Sequence, residues 1–317
     1  MTSLVEVKKL KKYFSSARGL LHAVDDVSFS IQKGKILGVV GESGCGKSTL
    51  GRTIIHLHES TGGTIQYNGK DITNPSAKEI RQLREKMQII FQDPYSSLDP
   101  RMTVEAAISE PLLASHKISA RKRREEVTRM MEMVGIDERL RYAYPHELDG
   151  GRRQRIVIAR ALILQPEFVV CDEPVSALDV SIQAQVLNLL RDLQKKQNLT
   201  YMFVTHDMSV VRHISDEICV MYLGQIVEKC PAKQLFEKPL HPYTQALISA
   251  IPSVDIHPPK NREILSGEIT SPINPKPGCR FCARCRYAQN QCHQPQTLNE
   301  VEPDHFVACA RVSDNEL

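Results

Sequence analysis

No stretch of this 317-residue chain approaches the roughly 20 apolar residues that a membrane-crossing helix needs. The N-terminal segment MTSLVEVKKLKKYF has no signal-peptide apolar core, so the expectation is a protein made and kept in the cytosol. No internal repeat is visible. The charge imbalance is small, at net +4, which hints at an acidic or membrane-proximal partner without amounting to a nucleic-acid signature. The one basic run, Arg121-Lys122-Arg123-Arg124, is followed at once by Glu125-Glu126, as on a solvated helix face. In a cytosolic protein the nine cysteines are expected as reduced thiols or metal ligands, not disulfides. What is present, 41% hydrophobic and 25% charged residues, suits one large or two modest globular domains with a buried core.

Residues 41–49 read GESGCGKST, a full match to G-x-x-x-x-G-K-[ST], and follow the apolar run 36–40. A strand feeding such a loop, with residues 50–57 continuing as a helix, turns successive backbone N–H groups inward as a nest for phosphate oxygens. The helix N-terminus adds partial positive charge behind them. Gly41, Ser43, Gly44, Cys45, Gly46, Lys47, Ser48 and Thr49 are therefore candidate nucleotide ligands. Lys47 would reach the β- and γ-phosphates, and the Ser48 hydroxyl would ligate Mg²⁺. The pattern and its setting point to binding of a nucleoside triphosphate.

The remaining chain alternates strands and helices. Residues 1–35 alternate polar and apolar, as half-buried strands do, and Asn68-Gly69 signals a hairpin. Segments 76–86, 119–134 and 181–197 read as helices, and 168–171 and 200–204 as buried strands. The expected fold is α/β, a mostly parallel sheet with helices on both faces. After about residue 250, Pro252, Pro258, Pro259, Pro272, Pro275 and Pro277 mark a linker, followed by a cysteine-rich segment and a polar tail.

Asp172 and Glu173 end the strand at 168–171, where open α/β sheets bind ligands. One carboxylate there can hold Mg²⁺ and its neighbour can polarise an attacking water. His206 likewise ends a strand, Gln92 follows the apolar run 89–91, and Tyr13 is an aromatic at a strand end. Each is ambiguous alone; in this order after a phosphate loop they reinforce one another.

Over residues 4–250 the chain resembles the nucleotide-binding subunit of an ABC transporter. The resemblance implies a P-loop NTPase of the ABC type, with an N-terminal antiparallel β subdomain, a helical subdomain at about 92–150 and a C-terminal extension at 251–317. It makes Tyr13 the adenine-stacking aromatic, residues 41–49 the Walker A loop and Asp172 the end of Walker B. Glu173 becomes the general base, His206 the switch histidine, and Gln92 the residue that senses Mg²⁺ and the membrane partner. Ser176-Ala177-Leu178-Asp179 matches the D-loop. The phrases FQDPYSSLDP (91–100), EPVSALDVS (173–181) and HPYT (241–244) are similar to the peptide-importer group, which includes nickel importers, and the pattern is nearest its second ATPase subunit. Implied partners are a paralogous ATPase, two transmembrane permeases and, through the complex, an extracytoplasmic substrate-binding protein. The implied location is peripheral, on the cytoplasmic face of the membrane. A soluble ABC ATPase acting on nucleic acid or ribosomes is the competing class; its usual coiled-coil insertion or second cassette is not seen, and no nucleic-acid partner is expected.

The family signature Leu-Ser-Gly-Gly-Gln stands here as Leu148-Asp149-Gly150-Gly151-Arg152. In ABC dimers this element caps the nucleotide of the other subunit, so Asp149 would set negative charge against a γ-phosphate. At about 4 Å and an effective dielectric near 20 that repulsion is about 4 kcal/mol before compensation. Either the partner's site is weakened, or Arg152 and Arg153 rebuild a working cap.

Cys279, Cys282, Cys285, Cys292 and Cys309 crowd the C-terminal segment. By count, four thiolates suit tetrahedral Zn²⁺ or a [4Fe–4S] cluster equally. Resemblance to the peptide-importer segment implies a [4Fe–4S] cluster on Cys279, Cys285, Cys292 and Cys309, with Cys282 spare and Zn²⁺ the alternative.

Overall fold

The computed structural model describes residues 3–115, 118–252, 267 and 270–313. Pro258 and Pro259 of the expected linker lie outside the described residues. The chain divides into two compact units that interleave in sequence.

One unit comprises Ser3–Ile31, Ile36–Thr73 and Val204–Leu317. Its antiparallel sheet is ordered Gly19–Gln32, Ser3–Ser16, Gly62–Tyr67, Lys70–Asp71. The expected hairpin turns on Asn68 and Gly69, whose φ of +50° and +76° are those of a primed turn. In the same unit the wholly buried strand Ile36–Val40 pairs in parallel with Glu217–Tyr222. From there Gln225–Pro231, His305–Val307 and Asn299–Glu302 continue outward as antiparallel neighbours. The C-terminal segment thus extends a sheet, where the sequence led us to expect only a linker, a cysteine cluster and a tail. Its strands are only three and four residues long, too short for an alternation to show.

The other unit comprises Gln32–Lys35 and Asn74–Phe203. Met87–Ile90 pairs in parallel with Phe168–Asp172, beside which runs Thr200–Thr205. Helix Ala77–Lys86 opens on a capping box: the Glu79 N–H donates to Ser76 Oγ at 3.3 Å, and Ser76 N–H donates to Glu79 Oε2 at 2.9 Å. Helix Ala120–Val134 opens on Ser119 and stops at Gly135, whose φ of +69° continues no helix. Helix Val104–Ser115 carries Pro111 and little amphipathic contrast, so its periodicity was not legible. Helices Gly150–Leu162 and Val180–Gln197 complete the unit, the former burying Ile156, Val157, Ile158 and Leu162.

Candidate functional site

The motif side chains fall into two groups, one in each unit. In the first, strand Ile36–Val40 delivers the chain into the loop at 41–46, and helix Lys47–Ile54 leaves it. Gly46 sits at φ +103°, and a Cβ there would lie 1.9 Å from the Ala23 carbonyl oxygen, so only glycine fits. Ser43 and Gly44 form the exposed tip, while Cys45 and Lys47 are buried. Lys47 Nζ donates to the carbonyls of Gly41 at 2.7 Å and Glu42 at 3.0 Å, so the ammonium lies curled on its own loop. Ser48 and Thr49 open the helix, half-buried, beside these groups. Burial pushes the Cys45 thiol up against the opposing pull of Lys47.

Tyr13 is half-buried and stacks on His22, with ring centroids 4.0 Å apart. Its hydroxyl donates to Asp25, which also pairs with His22 Nδ1 at 3.1 Å and with the Arg280 guanidinium. Burial works to raise the Asp25 carboxyl, but the Tyr13 and His22 hydrogen bonds and Arg280 outweigh it and hold it below the usual range. His206 is exposed immediately after strand Thr200–Thr205. Asp207 beside it caps helix Met208–Ile214, accepting from the Ser209 N–H at 2.7 Å.

In the second group, Asp172 is buried at the end of its strand. Glu173 follows in the left-handed region at φ +49°, a conformation uncommon for a non-glycine residue. Gln92 Nε2 donates to Glu173 Oε2 at 3.0 Å, joining side chains 81 residues apart. The signature residues lie elsewhere in this unit, at the start of helix Gly150–Leu162. Asp149 is the N-cap: Oδ1 accepts from the Arg152 N–H at 2.8 Å, and Oδ2 lies 3.4 Å from Arg152 Nε. Arg153 turns inward instead, donating through Nε to the Pro145 carbonyl at 2.6 Å and lying over the Tyr95 ring. Of the two arginines, only Arg152 faces the aspartate. Gly151 packs closely, since a Cβ would lie 2.8 Å from Ile182 Cγ2 and that side chain would have to shift.

The cysteine expectation is overturned. Among the described residues no group of three or more His, Cys, Asp or Glu side chains is placed to hold a metal ion. Neither the [4Fe–4S] cluster on Cys279, Cys285, Cys292 and Cys309 nor its zinc alternative is supported. The thiols serve packing: Cys279 and Cys285 lie against the cluster around Tyr222, Tyr243 and Phe281, and Cys309 against a different one with Leu240, Val307 and Val312. Burial pushes the Cys279 thiol up to about 12 and raises Cys285 and Cys309.

Sequence reasoning missed Glu42, Asp25, His22, Tyr243, Arg280 and Arg284 as neighbours of the motif residues. The two arginines stand between Cys279 and Cys285, where the cysteines drew the attention.

A glycine-rich loop cradling a lysine at a helix start, with a buried aspartate and a following glutamate at a strand end, defines a P-loop ATPase. Comparison with known proteins sharpens the class. A family model described as ABC transporter matches residues 24–176, and one described as oligopeptide/dipeptide transporter, C-terminal region, matches residues 227–292. The chain is 49% identical to the oligopeptide transport ATP-binding protein AppF of Bacillus subtilis, over 97% of each chain. It is 48% identical to the dipeptide transport ATP-binding protein DppF of Escherichia coli, over 99% of this chain and 96% of that one. Among solved structures, the ATP-binding cassette MJ0796, in a dimeric post-hydrolysis state bound to ADP and Pi, superposes with a TM-score of 0.66 at 27% identity, covering 72% of this chain and 98% of that one. The chain belongs to the ABC transporter ATP-binding proteins, in the group that carries the oligopeptide/dipeptide-type C-terminal region.

Proposed function

We propose that this chain is the ATP-hydrolysing, energy-coupling subunit of a membrane importer for di- or oligopeptides. The observation that carries the reading is Glu173, set in the left-handed region at the end of the Asp172 strand and held by Gln92 at 3.0 Å. A carboxylate fixed in that way can accept a proton from an attacking water while Gln92 restrains its rotation. The near-full-length likeness to peptide-transport ATP-binding proteins supports the substrate class.

In this reading the backbone of Gly41, Ser43, Gly44, Cys45 and Gly46 holds the phosphates, with Ser48 and Thr49 at the helix start. Lys47 leaves the carbonyls of Gly41 and Glu42 to meet the β- and γ-oxygens, trading one set of acceptors for charged ones. Tyr13 presents its ring to adenine. Ser48, Asp172 and Gln92 offer the oxygen donors that Mg²⁺ prefers, and a buried aspartate suits a cation. Bound there, Mg²⁺ would neutralise charge on the phosphates. Glu173 serves as general base and His206 as the group that stabilises the γ-phosphate.

Asp149, Gly150 and Gly151 cap the nucleotide of a paralogous ATPase, whose own standard signature completes this chain's site. Two permease subunits dock on the region at 92–150, where Tyr95, Leu113 and Tyr142 stand exposed. An extracytoplasmic binding protein delivers the peptide, and the chain sits peripherally on the cytoplasmic face. No described helix is long and apolar enough to cross a membrane itself. The test is ATP hydrolysis by the reconstituted complex with the binding protein and di- and oligopeptides, then nickel. Stimulation by peptides is expected. Stimulation by nickel alone, or only by nucleic acid, would contradict the proposal.

A further inference from the structure

The segment at 279–285 reads Cys-Arg-Phe-Cys-Ala-Arg-Cys, and Arg280, Phe281 and Arg284 engage the rest of the fold. Phe281 is 2% exposed and packs against both Tyr222 and Tyr243, each ring centroid 5.3 Å away. That anchor aims two arginines at the motif residues of the same unit. Arg284 forms a two-pronged pair with Glu42, Nη1 to Oε2 at 2.6 Å and Nη2 to Oε1 at 3.0 Å. Glu42 is the second residue of the phosphate loop, and every polar group it carries is engaged. Its N–H donates to Tyr243 Oη at 2.9 Å, its carbonyl accepts from Lys47 Nζ at 3.0 Å, and its carboxylate accepts from Arg284. Arg280 splits its guanidinium between Asp25 and the Leu223 carbonyl. Asp25 in turn holds both members of the Tyr13–His22 stack. The next residue along, Gly224, donates its N–H to the Cys45 carbonyl at 2.8 Å.

We propose that Arg284 and Arg280 are positioning residues for nucleotide, Arg284 setting the phosphate loop through Glu42 and Arg280 setting the Tyr13–His22 platform through Asp25. The C-terminal segment is then a built part of the nucleotide site. This rests on the reading of 41–49 and Tyr13 as that site. The physical basis is the planar guanidinium, which fixes orientation as well as distance: Arg284 sets both prongs on the Glu42 carboxylate, and Arg280 one on Asp25 and one on the Leu223 carbonyl. The guanidiniums are 6% and 7% exposed, so removing either leaves a carboxylate without its counter-charge in a poorly solvated setting. Glu42 then loses one of three restraints, and the loop N–H groups lose the geometry in which they converge on phosphate.

The two arginines make separable predictions, because one addresses the phosphates and the other the base. The experiment is calorimetric binding of ATP and of inorganic tripolyphosphate to the full-length chain and its Arg284→Ala, Arg280→Ala and Glu42→Gln variants. Arg284→Ala is expected to weaken both ligands about tenfold, Glu42→Gln to reproduce it, and the double variant to bind no worse than either single one. Arg280→Ala is expected to weaken ATP about tenfold while tripolyphosphate stays within about twofold. Arg284→Lys and Arg280→Lys keep the charge without the fork and should fall between, which covers the case in which an alanine variant does not fold. Wild-type ATP affinity in Arg284→Ala would overturn the proposal. So would equal loss of both ligands in both variants, which would mean that the segment only holds the fold together. Failure of the wild-type chain to bind ATP would overturn the underlying site reading instead.

Discussion

Replacing Asp149 by serine separates two jobs that this carboxylate combines. As N-cap of helix Gly150–Leu162 it accepts from the Arg152 N–H at 2.8 Å, and serine caps about as well, so fold stability should move by less than about 0.5 kcal/mol. As part of the signature it would face the partner subunit's γ-phosphate, with a bare repulsion of about 4 kcal/mol at about 4 Å. The Arg152 guanidinium, 3.4 Å from the same carboxylate, opposes part of that. Both side chains are more than half exposed, at 54% and 59%, so solvent screens much of the remainder. What is left is about 1–2 kcal/mol, or roughly a fivefold to thirtyfold penalty on ATP at the partner's site. Asp149→Ser should remove it. The assay is equilibrium ATP binding to the assembled complex, with Glu173→Gln present to stop turnover at this chain's own site. Tighter binding of one ATP by that factor, at unchanged melting temperature of the chain, is the expected outcome. Unchanged affinity would refute the electrostatic argument and leave Arg152 as full compensation.

Further predictions concern the loop, the core and pH. Gly46→Ala places a Cβ 1.9 Å from the Ala23 carbonyl oxygen at φ +103°, and should cost above about 3 kcal/mol and abolish ATP binding. Gly44→Ala, with nothing within 4 Å, should cost about 1–2 kcal/mol for its φ of +79° alone; denaturant titration of both separates clash from strain. Phe281→Ala removes the ring packed against both Tyr222 and Tyr243 and should cost about 3–5 kcal/mol by the same measurement. Burial lowers the His241 imidazole from 6.5 to about 4, although Glu228 pulls the other way, and its Nδ1 accepts from the Tyr243 N–H. A depressed folded-state pKa means the unfolded chain binds the proton first, so stability is fully present above about pH 6.5 and is lost as pH falls to about 4. The loss amounts to about 3 kcal/mol. His241→Asn, which can still cap helix Pro242–Ser249, should flatten that slope in denaturation midpoints.

What the sequence disclosed follows how locally each feature is encoded. The phosphate loop is one contiguous phrase whose glycines have a steric reason at each turn, and Gly46 meets that reason in the structure. Strand Phe168–Asp172 and helix Val180–Gln197 announce themselves by an apolar run and by strong propensity, and both form where expected. The bond from Gln92 to Glu173 spans 81 residues and that from Arg284 to Glu42 spans 242, and no periodicity carries such information. The cysteines were misread for the same reason. Their density within one segment is a fact of sequence, but a placement able to hold a metal is a fact of three dimensions, and none is formed among the described residues. The arginines interspersed among them, not the thiols, face the nucleotide motifs. Helix Val104–Ser115 escaped notice because Pro111 and a weak apolar stripe conceal it, while its buried face packs all the same.

The central claim is that this chain hydrolyses ATP through Glu173. The most direct test is Glu173→Gln in the reconstituted complex, reading ATP turnover and ATP binding side by side with saturating peptide-loaded binding protein. Loss of about 10²–10⁴-fold in turnover with ATP affinity retained is the result predicted for removal of a general base. Unchanged turnover with normal assembly would contradict the account.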